Sequence, residues 1–335
     1  MERSATVGVK EVAARAGVAV GTVSNVLNRP EKVAEATRAR VQAAIAELGF
    51  VRNEAARQLR AGLSNCVGLV VLDAANPFFH DIAEGAEEVA AAAGVAVLIG
   101  NSGGLSARED AHLNLFEQQR VRGVLVSPVE AVRPKLERLR AHGIAGVVVD
   151  RDETNGAYSS VSVDDIAGGE DAVRHLAQLG HHRIAFVGGP VSLRQVVDRY
   201  EGAEREASRH RGVTVSFVHT DTTTIAAGHD AGLRILDLPS DQRPTALFGA
   251  NDLLALGLLQ AMASRDVRVP HEMALIGYDD IAFAAGAAIP LSSIAQPGRE
   301  IGRRAMALLL AEAEDPARAP ERVVLQPQLV VRAST

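Results

Sequence analysis

Polar and charged side chains follow several short apolar runs of this sequence, at the points where buried strands are expected to end. Carboxylates, amides and guanidinium groups make paired hydrogen bonds to neighbouring hydroxyl groups, and an aromatic ring covers the apolar face of a sugar. The set therefore favours a polyol ligand over a lipid or a peptide. Its members are Asp73 to Phe79, Ser127, Asp150–Arg151, Gly188–Pro190, Asn251–Asp252 and Asp279–Asp280.

A second group of small or polar residues could read DNA, because it lies on the outward face of a predicted helix over residues 20–28. Bulky exposed side chains would hold such a helix off the base edges of the major groove, whereas small ones let it approach. A three-helix packing unit without a DNA role is the alternative. The outward residues of the helix include Gly21, Thr22, Ser24 and Asn25.

Three predicted helices position this second group. Apolar residues recur at helical spacing over 9–16, and Gly17 supplies the sharp turn that two crossed helices need. A third helix over about 34–49 packs across the first two. The residues expected to pack together are Val9, Val12, Ala13, Ala16, Val23, Val26, Leu27, Val41, Ile45 and Leu48.

The charges of the sequence are divided unevenly. Residues 1–60 contain ten Lys or Arg and six Asp or Glu, a net charge of +4. Since the whole chain has a net charge of −6, residues 61–335 carry −10. A basic head joined to an acidic body suits phosphate binding by the head, and it argues against a packing unit without a DNA role.

Strands and helices are predicted to alternate from residue 67 onwards, which implies doubly wound parallel α/β sheets with helices on both faces. Ligands of open α/β sheets lie beyond the carboxyl ends of the strands, so the first group of polar residues should line one site. The predicted strands are 67–72, 95–99, 123–127, 146–149, 161–163, 184–187, 213–218, 245–248 and 273–277.

Composition and motifs argue against other classes of protein. The single Cys66 excludes an internal disulfide and fits a reducing compartment, and the longest apolar run, 89–100, is too short to cross a bilayer. No secretory signal opens the chain, so we expect a cytoplasmic protein without a membrane partner. The sequence contains no dinucleotide-binding glycine motif after a strand, no P-loop and no G-x-S-x-G motif. We therefore expect neither an enzyme nor a bound cofactor or metal.

The sequence resembles the LacI/GalR (lactose-repressor) family of bacterial transcription regulators over nearly its whole length. The head carries VKEVAARAGVAVGTVSNVLN. The body carries GLVVLDAANPFF at 68–79, VRGVLVSP at 121–128, GHHRIAFVGGP at 180–190, RYEG at 199–202, PTALFGAND at 244–252, ALIGYDDI at 274–281 and a terminal LVVRAST. The resemblance implies an α/β protein with an N-terminal three-helix helix-turn-helix head, a hinge helix and a two-lobed periplasmic-binding-protein-like body.

The family pattern also implies domain boundaries. The DNA-binding domain would span residues 1–52, the hinge helix 53–62 and the effector-binding body 63–335. Within the body, the N-lobe would comprise about 63–162 and 293–322, and the C-lobe about 163–292 and 323–335. Three chain crossings near 162, 292 and 322 would then join the lobes, and hinged lobes close on ligands.

Roles in DNA reading follow from the resemblance. Val20 and Gly21 occupy the variable reading positions, and Thr22 is the expected phosphate contact. Asn25 stands where many relatives carry Arg, which favours adenine over guanine at that position. Ser24 and Asn28 either contact phosphate or cap locally, and the sequence leaves both alternatives open.

In the hinge, Leu59 matches the leucine that wedges into a central base step, and Ala56 lies on the same side of the segment. A plain linker is the alternative.

The effector site is assigned in the same way. Arg199 matches the arginine that clamps ligand oxygens, and Asn251 and Asp279 match contacts to sugar hydroxyl groups. Asp150 and the ring of Phe79 or Phe78 would line the facing lobe, and Gln296 matches a pocket-edge residue of some relatives. The alternatives are a helix cap for Asn251, a helix or turn cap for Asp279, ordinary core for either phenylalanine and a surface salt bridge for Arg199.

The order of head, hinge and two-lobed body indicates ligand-controlled DNA binding. We expect a homodimer, most often a repressor, on near-palindromic double-stranded operator DNA, since two heads would read half-sites one helical turn apart. A small molecule, expected to be a carbohydrate, would bind between the lobes and change operator affinity reciprocally. The chain ends soon after LVVRAST, which favours a dimer over a tetramer. A periplasmic sugar carrier is the rival that the DNA-binding head disfavours.

Overall fold

The structure, a computed structural model, describes residues 7–50, 64–153 and 156–335. The chain forms two compact units, residues 1–62 and 63–335. The predicted hinge helix over 53–62, with Ala56 and Leu59, lies outside the described residues.

The first unit contains the three predicted helices, α1 (Val9–Ala16), α2 (Val20–Asn28) and α3 (Glu35–Leu48), with a short 3₁₀ helix at Pro30–Lys32. Gly17 ends α1 in the left-handed conformation with φ 63°, where glycine meets no steric penalty. The buried residues that hold the helices together are Val12, Ala13, Ala16, Val23, Val26, Val41 and Ala44. The prediction of a three-helix head is thereby confirmed.

The second unit contains two six-stranded sheets. The first sheet is wholly parallel and has the strand order β11-β5-β4-β3-β1-β2. Its strands are β1 (Cys66–Val71), β2 (Ala96–Asn101), β3 (Gly123–Val126), β4 (Ala145–Val149), β5 (Ser159–Val163) and β11 (Arg322–Leu325). Its helices are α4 (Pro77–Ala92), α5 (Ser106–Gln118), α6 (Arg133–Ala141) and α12 (Gly298–Glu314).

The second sheet has the order β12-β10-β9-β8-β6-β7, and it is parallel except for β12, which runs antiparallel to β10. Its strands are β6 (Arg183–Gly188), β7 (Thr214–His219), β8 (Ala246–Gly249), β9 (Ala274–Asp279), β10 (Ser292–Ala295) and β12 (Gln328–Val330). Its helices are α7 (Asp165–Gln178), α8 (Arg194–Arg209), α9 (Ile225–Leu236), α10 (Asp252–Ser264) and α11 (Ala282–Gly286). The expected doubly wound α/β body is confirmed.

The chain passes between the two sheets three times. These crossings follow β5 at Val163, β10 at Ala295 and β11 at Leu325. Because β10 pairs with β9 and β11 pairs with β5, the last two crossings lie three residues later than the expected 292 and 322. Together, the three crossing segments form a hinge about which the lobes can turn.

Candidate functional site

A cavity of about 290 Å³ lies beyond the carboxyl ends of both sheets. This volume is near the lower end of the range of about 300–1,000 Å³ that is usual for small-molecule sites. The cavity is lined by residues from both lobes, namely Leu72, Asp73, Asn76, Phe78, Phe79, Gly103 to Leu105, Asp150, Pro190, Leu193, Gln195, Val196, Arg199, Asp221 to Thr224, Ala250, Asn251 and Asp279. Six of the seven predicted effector-site residues are therefore brought together at one cavity.

Arg199 is held rigidly in the wall of the cavity. Its Nε donates to Asp165 Oδ1 at 2.7 Å, and its Nη1 donates to the carbonyl oxygen of Ala250 at 2.7 Å. The guanidinium carbon lies 3.7 Å from the centre of the Tyr278 ring, in cation–π geometry. Only 5% of Arg199 is exposed, so it is a buried anchor rather than a member of a surface salt bridge.

A close helix crossing places Arg199 beside Asp165. Helix α8 carries the arginine and α7 begins with the aspartate. A Cβ at Gly169 would lie 2.1 Å from the Arg199 carbonyl oxygen, and a Cβ at Gly202 would lie 2.1 Å from the Ile166 carbonyl oxygen. Because neither glycine has a side chain, the backbones of α7 and α8 can approach closely at these positions. This crossing fixes the distance between the charged groups of Arg199 and Asp165.

Asp279 ends β9 and joins the two lobes. Its Oδ2 accepts a hydrogen bond from Asn76 Nδ2 at 2.9 Å, and Asn76 belongs to the start of α4 in the other lobe. Its Oδ1 accepts from Gln296 Nε2 at 2.8 Å and lies 3.7 Å from Arg199 Nη1. Burial raises the pKa of Asp279, and the nearby guanidinium opposes that rise. Gln296 stands behind Asp279 and is not part of the cavity wall, contrary to its predicted place in the site.

Asp150 makes the second polar bridge between the lobes. The amide Nε2 of Gln195, on α8, donates at 2.8 Å to both the Oδ2 and the backbone oxygen of Asp150, which follows β4. Burial raises the pKa of Asp150 to about 8, and the charge of Asp165 adds to the rise while Arg199 opposes it. Burial is the larger cause, and the surplus of carboxyl groups over the single guanidinium of the cluster adds to it.

The alternatives left open for three other residues are resolved by their contacts. Asn251 caps α10, since its Oδ1 accepts from Leu254 N at 2.9 Å, and its Nδ2 donates to Thr223 O at 3.1 Å. Phe78 and Phe79 are buried core residues whose rings meet edge to face at 5.2 Å, and both also line the cavity. Each residue thus has a structural role together with a place in the wall.

Some lining residues were not predicted as site residues. Gln195 lies inside a helix, where no rule about strand ends could point to it. Asp221 to Thr224 follow β7 directly, so the rule applied to the other strands would have found them. Gly103 to Leu105 follow β2, which runs two residues beyond its predicted end because Asn101 pairs with Val71.

In the head, the outward face of α2 has the expected residues. Val20 is 47% exposed, Gly21 and Asn25 are also exposed, and Thr22 is half-buried. The side chain of Asn28 donates to the Ser24 carbonyl oxygen at 2.9 Å. This bond is the local capping contact that was one of the two alternatives for the pair. Helix α2 therefore presents an uncharged face of small side chains, of the kind that fits a DNA groove.

Two further observations limit the chemistry of the described parts of the chain. They contain no group of three or more His, Cys, Asp or Glu side chains placed to hold a metal ion. No helix in residues 7–50, 64–153 and 156–335 combines the length and apolarity needed to cross a bilayer.

Comparison with known proteins extends these findings. Residues 8–53 match the bacterial regulatory proteins of the lacI family, and residues 173–335 match the periplasmic binding protein-like domain. The chain is 32% identical over 329 residues to the ribose operon repressor of Escherichia coli (strain K12), with 97% of this chain and 99% of the relative covered. It is 29% identical to the HTH-type transcriptional repressor PurR of Vibrio atlanticus (strain LGP32), over 97% of this chain and 98% of the relative.

Solved structures agree with the sequence relatives. The lac repressor dimer bound to operator and the anti-inducer ONPF superposes with a TM-score of 0.83 at 26% identity, covering 98% of this chain and 99% of that one. A LacI family regulator from Enterococcus faecium with bound ribose gives a TM-score of 0.72 at 26% identity, covering 81% of this chain and 98% of that one. Shared sequence over almost the full length, the head and the two-lobed body together show that this chain belongs to the lacI family of bacterial regulatory proteins.

Proposed function

We propose that the protein is a transcriptional repressor that binds a near-palindromic operator as a homodimer and responds to a carbohydrate effector. As a member of the lacI family, the chain is a DNA-binding regulator controlled by a small molecule. The observation that carries the effector part is the cluster of Arg199, Asp150 and Asp279 in one cavity between two lobes. The protein acts as a regulator rather than an enzyme, and we place it in the cytoplasm because its operator lies there.

In the DNA-binding half, α2 would enter the major groove with its outward face. Val20 and Asn25 would meet base edges, Asn25 with a preference for adenine, and Thr22 would contact phosphate. Gly21 has no side chain to read with, which leaves part of the specificity to DNA shape. Ser24 and Asn28 would support the helix through their mutual hydrogen bond. Ala56 and Leu59 would complete the contact in the minor groove, on the hinge segment 53–62.

In the effector half, hydroxyl groups of the ligand would bond to Arg199, Asp150 and Asp279, and the rings of Phe78 and Phe79 would cover its apolar face. Two relatives support a sugar: one is named for the ribose operon, and another was solved with bound ribose. Asn251 would act by holding the loop at Thr223 in place, because its amide is engaged by the protein at both ends.

Effector binding would reach the DNA through the lobes. Asp150 and Asp279 each accept a hydrogen bond from the opposite lobe, and both line the cavity. A ligand that engages these carboxyl groups must change the bonds that set the angle between the lobes. Lobe rotation would alter the spacing of two heads in a dimer, and the coupling must act equally in both directions. In this proposal the head comprises residues 1–52, the hinge 53–62 and the body 63–335.

Two measurements test this function on the full chain. A thermal-shift screen against sugars, polyols and nucleosides should give a rise in melting temperature with at least one sugar, because a ligand of the folded state stabilises it by mass action. A mobility-shift assay at graded salt should then show a sequence preference that this sugar alters. Purely electrostatic DNA binding, unaffected by every ligand, would contradict the proposal.

A further inference from the structure

The charges around the cavity are unbalanced. Four carboxyl groups line it, those of Asp73, Asp150, Asp221 and Asp279, whereas Arg199 is the one basic side chain among the lining residues that the structure describes. Even without a charge on Asp150, whose pKa is raised to about 8, the carboxylates of the other three outnumber this one cation. A ligand that carried a negative charge would add to that excess. The cost of such like-charge contact rises as water is excluded from the site.

Arg199 is already compensated before a ligand arrives. Its Nε donates to the carboxylate of Asp165, its Nη1 donates to Ala250 O, and Asp279 Oδ1 is 3.7 Å from Nη1. A ligand phosphate would have to compete with Asp165 and Asp279 for this guanidinium. Two of the helix N-termini at the cavity wall are also engaged, because Asn76 caps α4 and Asn251 caps α10, whereas α5 and α8 begin there without a side-chain cap. At Arg199 and at the two capped helices, a phosphate would therefore have to displace an existing hydrogen bond.

The cavity wall also contains a hydrogen-bond acceptor that a ligand could satisfy. Gln195 is 5% exposed, and its two amide hydrogen bonds go through Nε2 to Asp150. Its Oε1 is buried without a partner in the part of the chain that the structure describes, and the residue lines the cavity. A buried acceptor without a donor is costly, so the natural ligand should bring a hydroxyl group to it. Hydroxyl groups are donors, whereas a phosphate dianion brings acceptors only.

We propose that the cleft binds an uncharged polyhydroxylated ligand of about monosaccharide size and discriminates against phosphorylated or carboxylated forms of the same sugar. This inference rests on the proposed function and narrows its effector class. The excess of lining carboxyl groups, the compensated Arg199 and the unpartnered Gln195 oxygen all point the same way. The raised pKa of Asp150 agrees, since it reflects burial and the negative charge of Asp165 at this site.

The test is isothermal titration of the full chain with matched sugar pairs at pH 7 and fixed ionic strength. Suitable pairs are ribose with ribose 5-phosphate, glucose with glucose 6-phosphate, and glucose with glucuronate. For a sugar that binds, we expect its anionic partner to bind at least about 30-fold more weakly. A smaller ratio, or tighter binding of the anion, overturns the inference and leaves the proposed function intact. If no member of either charge binds while operator binding persists, the carbohydrate assignment itself is wrong, and the inference is wrong with it.

A variant pair separates charge from folding. The side chain of Asp221 is fully exposed at the cavity, so Asp221→Asn should leave the fold unchanged. It should improve binding of the anionic sugar relative to the neutral sugar by about two- to threefold, and more at low salt. Asp241→Asn removes an exposed charge that is not part of the cavity wall and should change neither affinity. Equal effects of the two substitutions would show that the discrimination does not arise from the cavity charges.

Discussion

Asn76 and Asp279 lie 203 residues apart in the sequence and are joined by a 2.9 Å hydrogen bond across the cleft. Asn76 also accepts from Phe78 N at 3.1 Å, so one side chain both caps α4 and reaches the opposite lobe. Asp279 is also held in place by Gln296, which follows β10. The angle between the lobes is thus linked to a carboxylate that lines the ligand cavity.

Replacing Asn76 with Asp should weaken effector binding. The new carboxylate keeps an oxygen for the helix cap but faces Asp279 with like charge, which opposes the closed arrangement of the lobes. We expect an affinity for the effector that is lower by about tenfold or more, which calorimetric titration would measure. The control is Asn114→Asp, which adds the same charge on the exposed face of α5 next to Arg138. If the two variants bind the effector equally well, the bridge has no part in binding.

Asp150 should make folding stability depend on pH. Its pKa is raised from 3.8 to about 8 in the folded protein, so the folded state binds the proton more tightly than the unfolded state. This contribution to stability is fully present below about pH 4 and is lost as pH rises through about 8. Urea denaturation of the wild type and of Asp150→Asn across this range would show it. In the variant, the free energy of unfolding should fall less steeply as pH rises. Parallel curves for the two proteins would contradict the assignment of this pH dependence to Asp150.

Arg199 should be essential for the stability of the body. Truncation in Arg199→Ala leaves the buried carboxyl groups of Asp165 and Asp279 without their cation, at a cost of about 3–5 kcal/mol in the free energy of unfolding. Chemical denaturation would measure the loss, and adding Asp165→Asn should restore part of it. Arg205→Ala breaks an exposed pair with Glu201 on the same helix and should cost less than about 1 kcal/mol. Equal losses in the two single variants would rule out a buried ion cluster at Arg199.

Gly21 should separate the stability of the head from its binding of DNA. A Cβ at this exposed position would meet no atom within 4 Å, so Gly21→Ala should stabilise α2 by about 0.5–1 kcal/mol. The added methyl group would nevertheless lie on the face proposed to enter the major groove. We therefore expect operator binding about tenfold weaker in a mobility-shift assay, despite a higher melting temperature. Gln42→Ala, an exposed change on α3, should leave operator binding unchanged, and an unaffected operator affinity in Gly21→Ala would place α2 outside the groove.

Local sequence patterns predicted the helices and strands of this protein. Apolar residues at helical spacing and the turn at Gly17 predicted the bounds of α1 and α2, and alternating strands and helices predicted the two sheets. These features depend on neighbours in the sequence, which is why the sequence sufficed for them. The rule that ligands lie beyond strand ends likewise predicted Asp150, Asn251 and Asp279 at one cavity.

What the sequence by itself determined is therefore the class of protein: a basic helix-turn-helix head on an acidic α/β body with polar residues at its strand ends. Only the tertiary structure decided which of those residues act together. It placed Gln195 in the cavity wall from inside a helix and set Gln296 behind Asp279. The physical reason is that contacts between the lobes depend on how the two sheets are placed relative to each other, and no pattern of neighbouring residues determines that placement.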